Sequence, residues 1–209
     1  MSDEIVFYHN PMSRGRIARW MLEEVGAPYR TELLRFDARE HKTPEYLAIN
    51  PMGKIPTVVH GGVVVTECAA ICAYLAEAFP EAGLAPPVGD PQRGTYLRWL
   101  FFGAGCVEAA IVDRMFSRPM PDRPGAIGYG SYDDTMNAVE AAITPGPFIL
   151  GDRFSAADVY VGSQLAWGTM TKALEPRDTF SRYLAGVRDR PAAQRAAQLD
   201  LELAESMKA

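Results

Sequence analysis

The chain has 209 residues, 48% of them apolar by a broad count, with 21 Lys and Arg against 26 Asp and Glu for a formal net charge of -5. That composition supports one or two domains with a sizeable core and excludes a disordered or fibrous chain. The acidic balance argues against a nucleic-acid binder, which concentrates Lys and Arg to displace phosphate counterions.

The opening "MSDEIVFYHN" has neither the basic nor the apolar region of a secretory signal. No later segment gives ~18 unbroken apolar residues, so a cytoplasmic protein without a membrane span is expected. Cys68, Cys72 and Cys106 are too few and too unevenly placed for a disulfide framework, which fits a reducing compartment. His9, His41 and His60 lack ligand spacing, so no metal site is expected.

"EIVFY" (4 to 8) reads as a strand, "SRGRIARWMLEEVG" (13 to 26) as a helix stopped at Gly26, and "YRTELL" (29 to 34) as a second strand, which makes a β-α-β unit. A short helix is expected at "TPEYLAI". Next, "TVVH" and "VVVT" flank Gly61-Gly62 as a hairpin, and "ECAAICAYLAEAF" (67 to 79) reads as an apolar-faced helix. The Pro- and Gly-rich run "PEAGLAPPVGDP" marks a linker. Helical spacing then covers 91 to 116, 131 to 143, 155 to 170 and 180 to 190. Three segments result: an α/β domain at 1–80, a linker at 81–90, and an all-helical domain at 91–209.

Four places carry local chemistry with two readings each. Pro56 suits an ordinary edge strand, or a cis bond that presents the extended peptide groups of Ile55 to a ligand. Thr66, Glu67 and Cys68 stand where a strand enters a helix, as a capping arrangement or as an anion-binding helix start. Arg14 and Arg16 occupy the end of a helix that disfavours cations, pointing to water or to a nearby anion. Ser13 reads first as an N-cap. Within "FSAADV", Ser155 and Asp158 have capping-box spacing and Phe154 with Val159 forms a staple, which is structural.

"YHNPMSRGRIARWMLEEVGAPY", "EHKTPEYLAINPMGKIPTVVHGG", "VVTECAAICAYLAEAFP" and "GPFILGDRFSAADV", in that order, resemble the recurring segments of the cytosolic glutathione transferases, of the serine type. The resemblance implies a thioredoxin-like βαβαββα domain followed by a helical domain, in a homodimer. It implies glutathione as cosubstrate, lying extended beside the strand that begins at cis-Pro56, with Ile55 pairing to its cysteinyl backbone. Glu67 and Cys68 match the residues that hold the γ-glutamyl end, and His41, Lys42 and Lys54 match positions near the glycine carboxylate. Ser13 matches the hydroxyl that donates to the glutathione sulfur, with Tyr8 as the runner-up and Arg14 as a source of added field.

A thiol of pKa ~8.5 is only about 3% ionised at pH 7, and lowering that value by ~2 units takes roughly 2.7 kcal/mol of preferential thiolate stabilisation. Met12, Phe116 and Trp167 are candidates for an electrophile pocket, although apolar residues at helical spacing are core as often. The implied activity is transfer of glutathione to a small, hydrophobic electrophile in detoxification. The alternatives are a glutathione-dependent peroxidase or isomerase, a Cys68-dependent thiol oxidoreductase, and a silent glutathione-binding module. Cys68 departs from the family pattern, in which serine is usual.

Overall fold

The computed structural model describes residues 4–119 and 121–208. They fall into two compact units, one made of described residues up to 82 with those from 191 on, the other of the described residues from 83 to 190.

The first unit is built on β1 (Ile5–His9), which buries Ile5, Phe7 and His9 on one face in the period-2 pattern of a strand. Helix α1 (Gly15–Val25) follows and stops at Gly26, whose φ of 69° is the left-handed conformation that glycine adopts without a Cβ penalty. β2 (Tyr29–Leu33) pairs parallel to β1, as a β-α-β unit requires. Helix α2 (Pro44–Ile49) opens on Thr43, whose hydroxyl accepts the Tyr46 N–H, with proline at the first helical position.

β3 (Thr57–His60) and β4 (Val63–Thr66) form the antiparallel hairpin around Gly61-Gly62, and α3 (Cys68–Ala78) follows. The sheet order is β2-β1-β3-β4, with β3 antiparallel to β1. Because β3 is an interior strand, Pro56 is not an edge-strand proline; it stands one residue before the ladder begins, and the Ile55–Pro56 bond is cis.

The sequence places all of 91–209 in the helical domain, but the last helix, α9 (Pro191–Ser206), belongs with the first unit, where it packs along α1. The physical reason is a buried ionic contact. Asp200 of α9 is 2% exposed and meets the His9 ring and the Arg19 guanidinium, each at 2.7 Å.

The second unit is helical. α4 (Arg93–Phe102) and α5 (Glu108–Met115) are joined by one π-helical stretch, Gly103–Val107, where a single helix over 91 to 116 is expected from the sequence. The run Arg93–Met115 is long and apolar enough to cross a membrane by length and composition alone. Along that run Tyr96, Trp99, Leu100, Val107 and Ile111 are buried, one face of an amphipathic helix. α6 (Tyr132–Ile143) is capped by Ser131, whose hydroxyl accepts the Asp134 N–H at 3.0 Å. α7 (Ala156–Met170) starts at Ser155 with the capping box, and α8 (Asp178–Arg188) packs against it.

Candidate functional site

Three loops of the first unit enclose a cavity of about 290 Å³. Met12, Ser13 and Arg14 come from the turn between β1 and α1, Phe36, His41 and Lys42 from the stretch after β2, and Gly53, Lys54 and Ile55 from the approach to β3. The last loop is held from behind, because the Lys54 carbonyl accepts the Tyr46 hydroxyl at 2.5 Å and the Asn50 amide at 2.9 Å. No turn or side-chain hydrogen bond claims the Ile55 backbone among the described residues. Gly53 has φ 55°, and a Cβ there would stand 2.6 Å from the His41 carbonyl oxygen and 2.7 Å from Lys42 Nζ, so glycine is what lets the two loops close on each other.

The Ser13 hydroxyl donates to the Asn10 carbonyl at 2.7 Å and accepts the Gly15 N–H at 2.9 Å, so one orphan donor of α1 is held one residue ahead of the helix boundary. Arg14, Lys42 and Lys54 give the lining a positive field, and no acid is among the residues that line it. Loss of hydration, followed by the charges of Lys42, Arg39 and Lys54, pulls the His41 pKa below its usual value. His41 Nδ1 is buried without a hydrogen-bond partner. Lys42 Nζ donates to the Met52 carbonyl at 2.8 Å. A site of this kind favours an extended anion with exposed backbone to pair beside Ile55.

The glutathione S-transferase N-terminal domain model matches residues 4–77, and the C-terminal domain model matches residues 109–186. The chain belongs to the glutathione S-transferase family. The glutathione S-transferase GstA of Escherichia coli O157:H7 is 27% identical over 154 residues, covering 73% of this chain and 76% of that protein. A solved glutathione transferase from Methylococcus capsulatus is 28% identical with a TM-score of 0.76, covering 94% of this chain and 98% of the other. Another, from Burkholderia graminis and holding two glutathione molecules per subunit, is 25% identical with a TM-score of 0.73, covering 94% and 88%.

Of the residues expected to form the transferase site, the cavity gathers Met12, Ser13, His41, Lys42, Lys54 and Ile55, while Pro56, Glu67 and Cys68 are outside its lining. Glu67 is exposed at the start of α3 with φ 66° and ψ 120°, a positive-φ conformation that costs a non-glycine residue on the order of 1 kcal/mol or more and aims the chain into the helix. Cys68 is buried, and its thiol donates to the Arg14 carbonyl at 3.6 Å, which ties the start of α3 to the turn that carries Ser13. Tyr8 is half-buried in β1, with its ring 5.5 Å from that of Tyr46. Phe116 and Trp167 belong to the second unit, where Phe116 is exposed after α5 and Trp167 is half-buried on α7. Among the described residues, no group of three or more His, Cys, Asp or Glu could hold a metal ion.

Sequence reasoning missed Phe36 and Gly53 in the lining and, behind the site, the buried cluster of His9, Arg19 and Asp200. A usable signal existed for His9, since strand alternation places it on the same face as Ile5 and Phe7. Nothing local pointed to Asp200, 191 positions away in sequence.

Proposed function

We propose that this transferase activates the thiol of glutathione and passes the thiolate to an electrophilic carbon of a small, hydrophobic substrate. The observation that carries the reading is the cationic cavity with the Ser13 hydroxyl on its wall and the Ile55 peptide beside it. In this reading the glycine carboxylate lies toward His41, Lys42 and Lys54, the cysteinyl backbone pairs with Ile55 next to Pro56, and the γ-glutamyl end lies toward Glu67 and Cys68. Opposite charges then meet at both ends of the tripeptide.

Ser13 acts by a turn of its O–H bond. The proton it gives to the Asn10 carbonyl swings to the sulfur, exchanging a neutral hydrogen bond for a charge-assisted one, while the Gly15 N–H stays on its oxygen and polarises it. Only the ionised thiol gains from that exchange, so the pKa of bound glutathione falls and its proton is released to solvent water. The sulfur lone pair then forms the bond to carbon, and the displaced bond pair leaves with the departing group or moves into the acceptor π-system. The same reading makes the protein a cytoplasmic homodimer that acts in detoxification.

Cys68 supports plain replacement of a hydroxyl better than a redox role, because its thiol is buried and already gives its hydrogen to a backbone carbonyl. The test is retention on immobilised glutathione with elution by free glutathione, followed by turnover of an aryl halide. Failure to be retained rejects the binding reading. Retention without aryl-halide turnover, but with reduction of hydroperoxide or disulfide, rejects the transferase reading.

A further inference from the structure

His9 is fully buried at the end of β1, and its Nε2 lies 2.7 Å from Asp200 Oδ1. Arg19 Nε is also 2.7 Å from that oxygen, and Arg16 Nε is 3.7 Å from the other. A carboxylate between two guanidinium groups acts as an acceptor, so His9 Nε2 carries the hydrogen and Nδ1 is bare. Nδ1 has no hydrogen-bond partner. It faces Gly15, where a Cβ would stand 2.2 Å from Nδ1 and 3.0 Å from Ser13 Oγ. The ring nitrogen and the serine oxygen are therefore separated by no more than the sum of those two distances, with the Gly15 backbone in contact with both.

We propose that His9, held by Asp200 of α9, is a positioning residue for Ser13, acting through Gly15. The ring seats the first residue of α1, and the N–H of that residue is the donor on the Ser13 hydroxyl. Only the tautomer with a bare Nδ1 fits, because a hydrogen there would press on the Gly15 Cα without an acceptor. Burial acts in the same direction, since it lowers the His9 pKa against the opposing pull of Asp200, with Arg19 and Arg16 adding to the lowering.

A buried ion pair is a poor device for stability alone, and an apolar cluster of similar volume does as well. A second ion pair already anchors α9 to α1: Arg195 Nε lies 2.7 Å from Glu23 Oε2, near the other end of α1 and away from Gly15. That pair is the control.

The inference rests on Ser13 being the thiol-activating group, and the experiment separates the two ideas. Glutathione bound to each variant is titrated by the ultraviolet absorbance of its thiolate, beside kcat and KM. Asp200→Asn removes the charge that holds the ring: the amide oxygen stays toward Arg19 Nε and His9 Nε2 only as a weaker, neutral acceptor, so the ring is seated less firmly on Gly15. The bound thiol should then titrate about one unit higher, and kcat at neutral pH should fall about tenfold with the KM for glutathione nearly unchanged. Arg195→Gln should leave the titration where it was. In a Ser13→Ala background, Asp200→Asn should add nothing further.

If Asp200→Asn leaves Arg19 too poorly paired to fold, His9→Gln serves the same test. It keeps a donor for Asp200 but removes the ring from Gly15, and it should raise the thiol pKa in a protein whose circular dichroism is native. An unshifted titration in both variants, with Ser13→Ala shifted, overturns the positioning role and leaves the serine reading intact. Equal and additive effects of Asp200→Asn with and without Ser13 also overturn it. An unshifted titration in Ser13→Ala removes the serine reading, and the inference with it.

Discussion

Replacing Asp158 tests whether the buried carboxylate of α7 is structural, and its cost can be worked from four donors. Oδ1 accepts the Ile149 N–H at 2.8 Å and the Tyr183 hydroxyl at 3.0 Å, and Oδ2 accepts the Ser155 N–H and hydroxyl, each at 3.0 Å. Asp158→Ala strands all four. The two hydroxyls can turn to other acceptors, whereas the two backbone N–H groups cannot, and each orphaned buried donor costs about 1–3 kcal/mol. A loss of about 4 kcal/mol follows, a large share of the ~5–15 kcal/mol by which domains are stable. Ser155→Ala removes only the cap hydroxyl and should cost about 1 kcal/mol.

Urea unfolding at constant m measures both, with glutathione affinity of the folded fraction as the second readout and expected to be unchanged. The pH dependence adds a signed check. Burial raises the Asp158 pKa from 3.8 to about 6 against the opposing pull of its donors. The folded chain therefore keeps a proton that the unfolded chain has released, so this group's contribution is complete below pH ~4 and is lost, by about 3 kcal/mol, as pH rises through ~6. Asp158→Asn should flatten that part of the profile. An Asp158→Ala variant within about 1 kcal/mol of wild type, or one that is fully stable but no longer binds glutathione, refutes the reasoning.

Ser13→Ala should raise the pKa of bound glutathione by about 1–2 units and lower neutral-pH turnover by about 10- to 100-fold, with a smaller change in affinity. Unchanged turnover, with Tyr8→Phe abolishing it, moves the role to Tyr8. Lys54→Gln should weaken glutathione binding by up to about fivefold, and added salt should narrow the gap from wild type, as binding titrations at two ionic strengths will read. Lys42→Gln should cost more and respond less to salt, because Lys42 also holds the Met52 carbonyl; equal affinity for both variants and wild type puts the tripeptide elsewhere. Cys68→Ser should keep or improve affinity, since oxygen is the better donor to the Arg14 carbonyl; a stable glutathione adduct on wild-type Cys68 by mass spectrometry, with reductase activity lost in the variant, would reverse that.

The first unit was legible where one residue type settles a conformation. Gly26 ends α1, Gly61-Gly62 turns the hairpin, and alternating burial marks β1. The break between α4 and α5 was not legible, because the small residues of Gly103–Cys106 are compatible with a regular helix, and the close approach of Gly103 to Tyr160 of α7 is a contact distant in sequence. α9 was hidden for a different reason. Its buried residues are Ala196 and Asp200, so it lacks the apolar stripe by which a helix is recognised, and its attachment is ionic. At the site, Ser13, Lys54 and Ile55 were found through the family pattern. Phe36 and Gly53 enter only when the loops close, since their distance in sequence carries no trace of that contact.

The seating of Asp200 between His9 and Arg19 also bears on how the protein is made. The strand and helix that carry two of these groups leave the ribosome early, and the third is translated only after the whole of the second unit. Until then Arg19 of the nascent first unit has no counter-ion, the His9 ring N–H has no acceptor, and apolar surface on α1 has no cover. The thioredoxin-like half therefore closes after synthesis has passed the far end of the other half, and a fragment cut at residue 82 should be insoluble or molten.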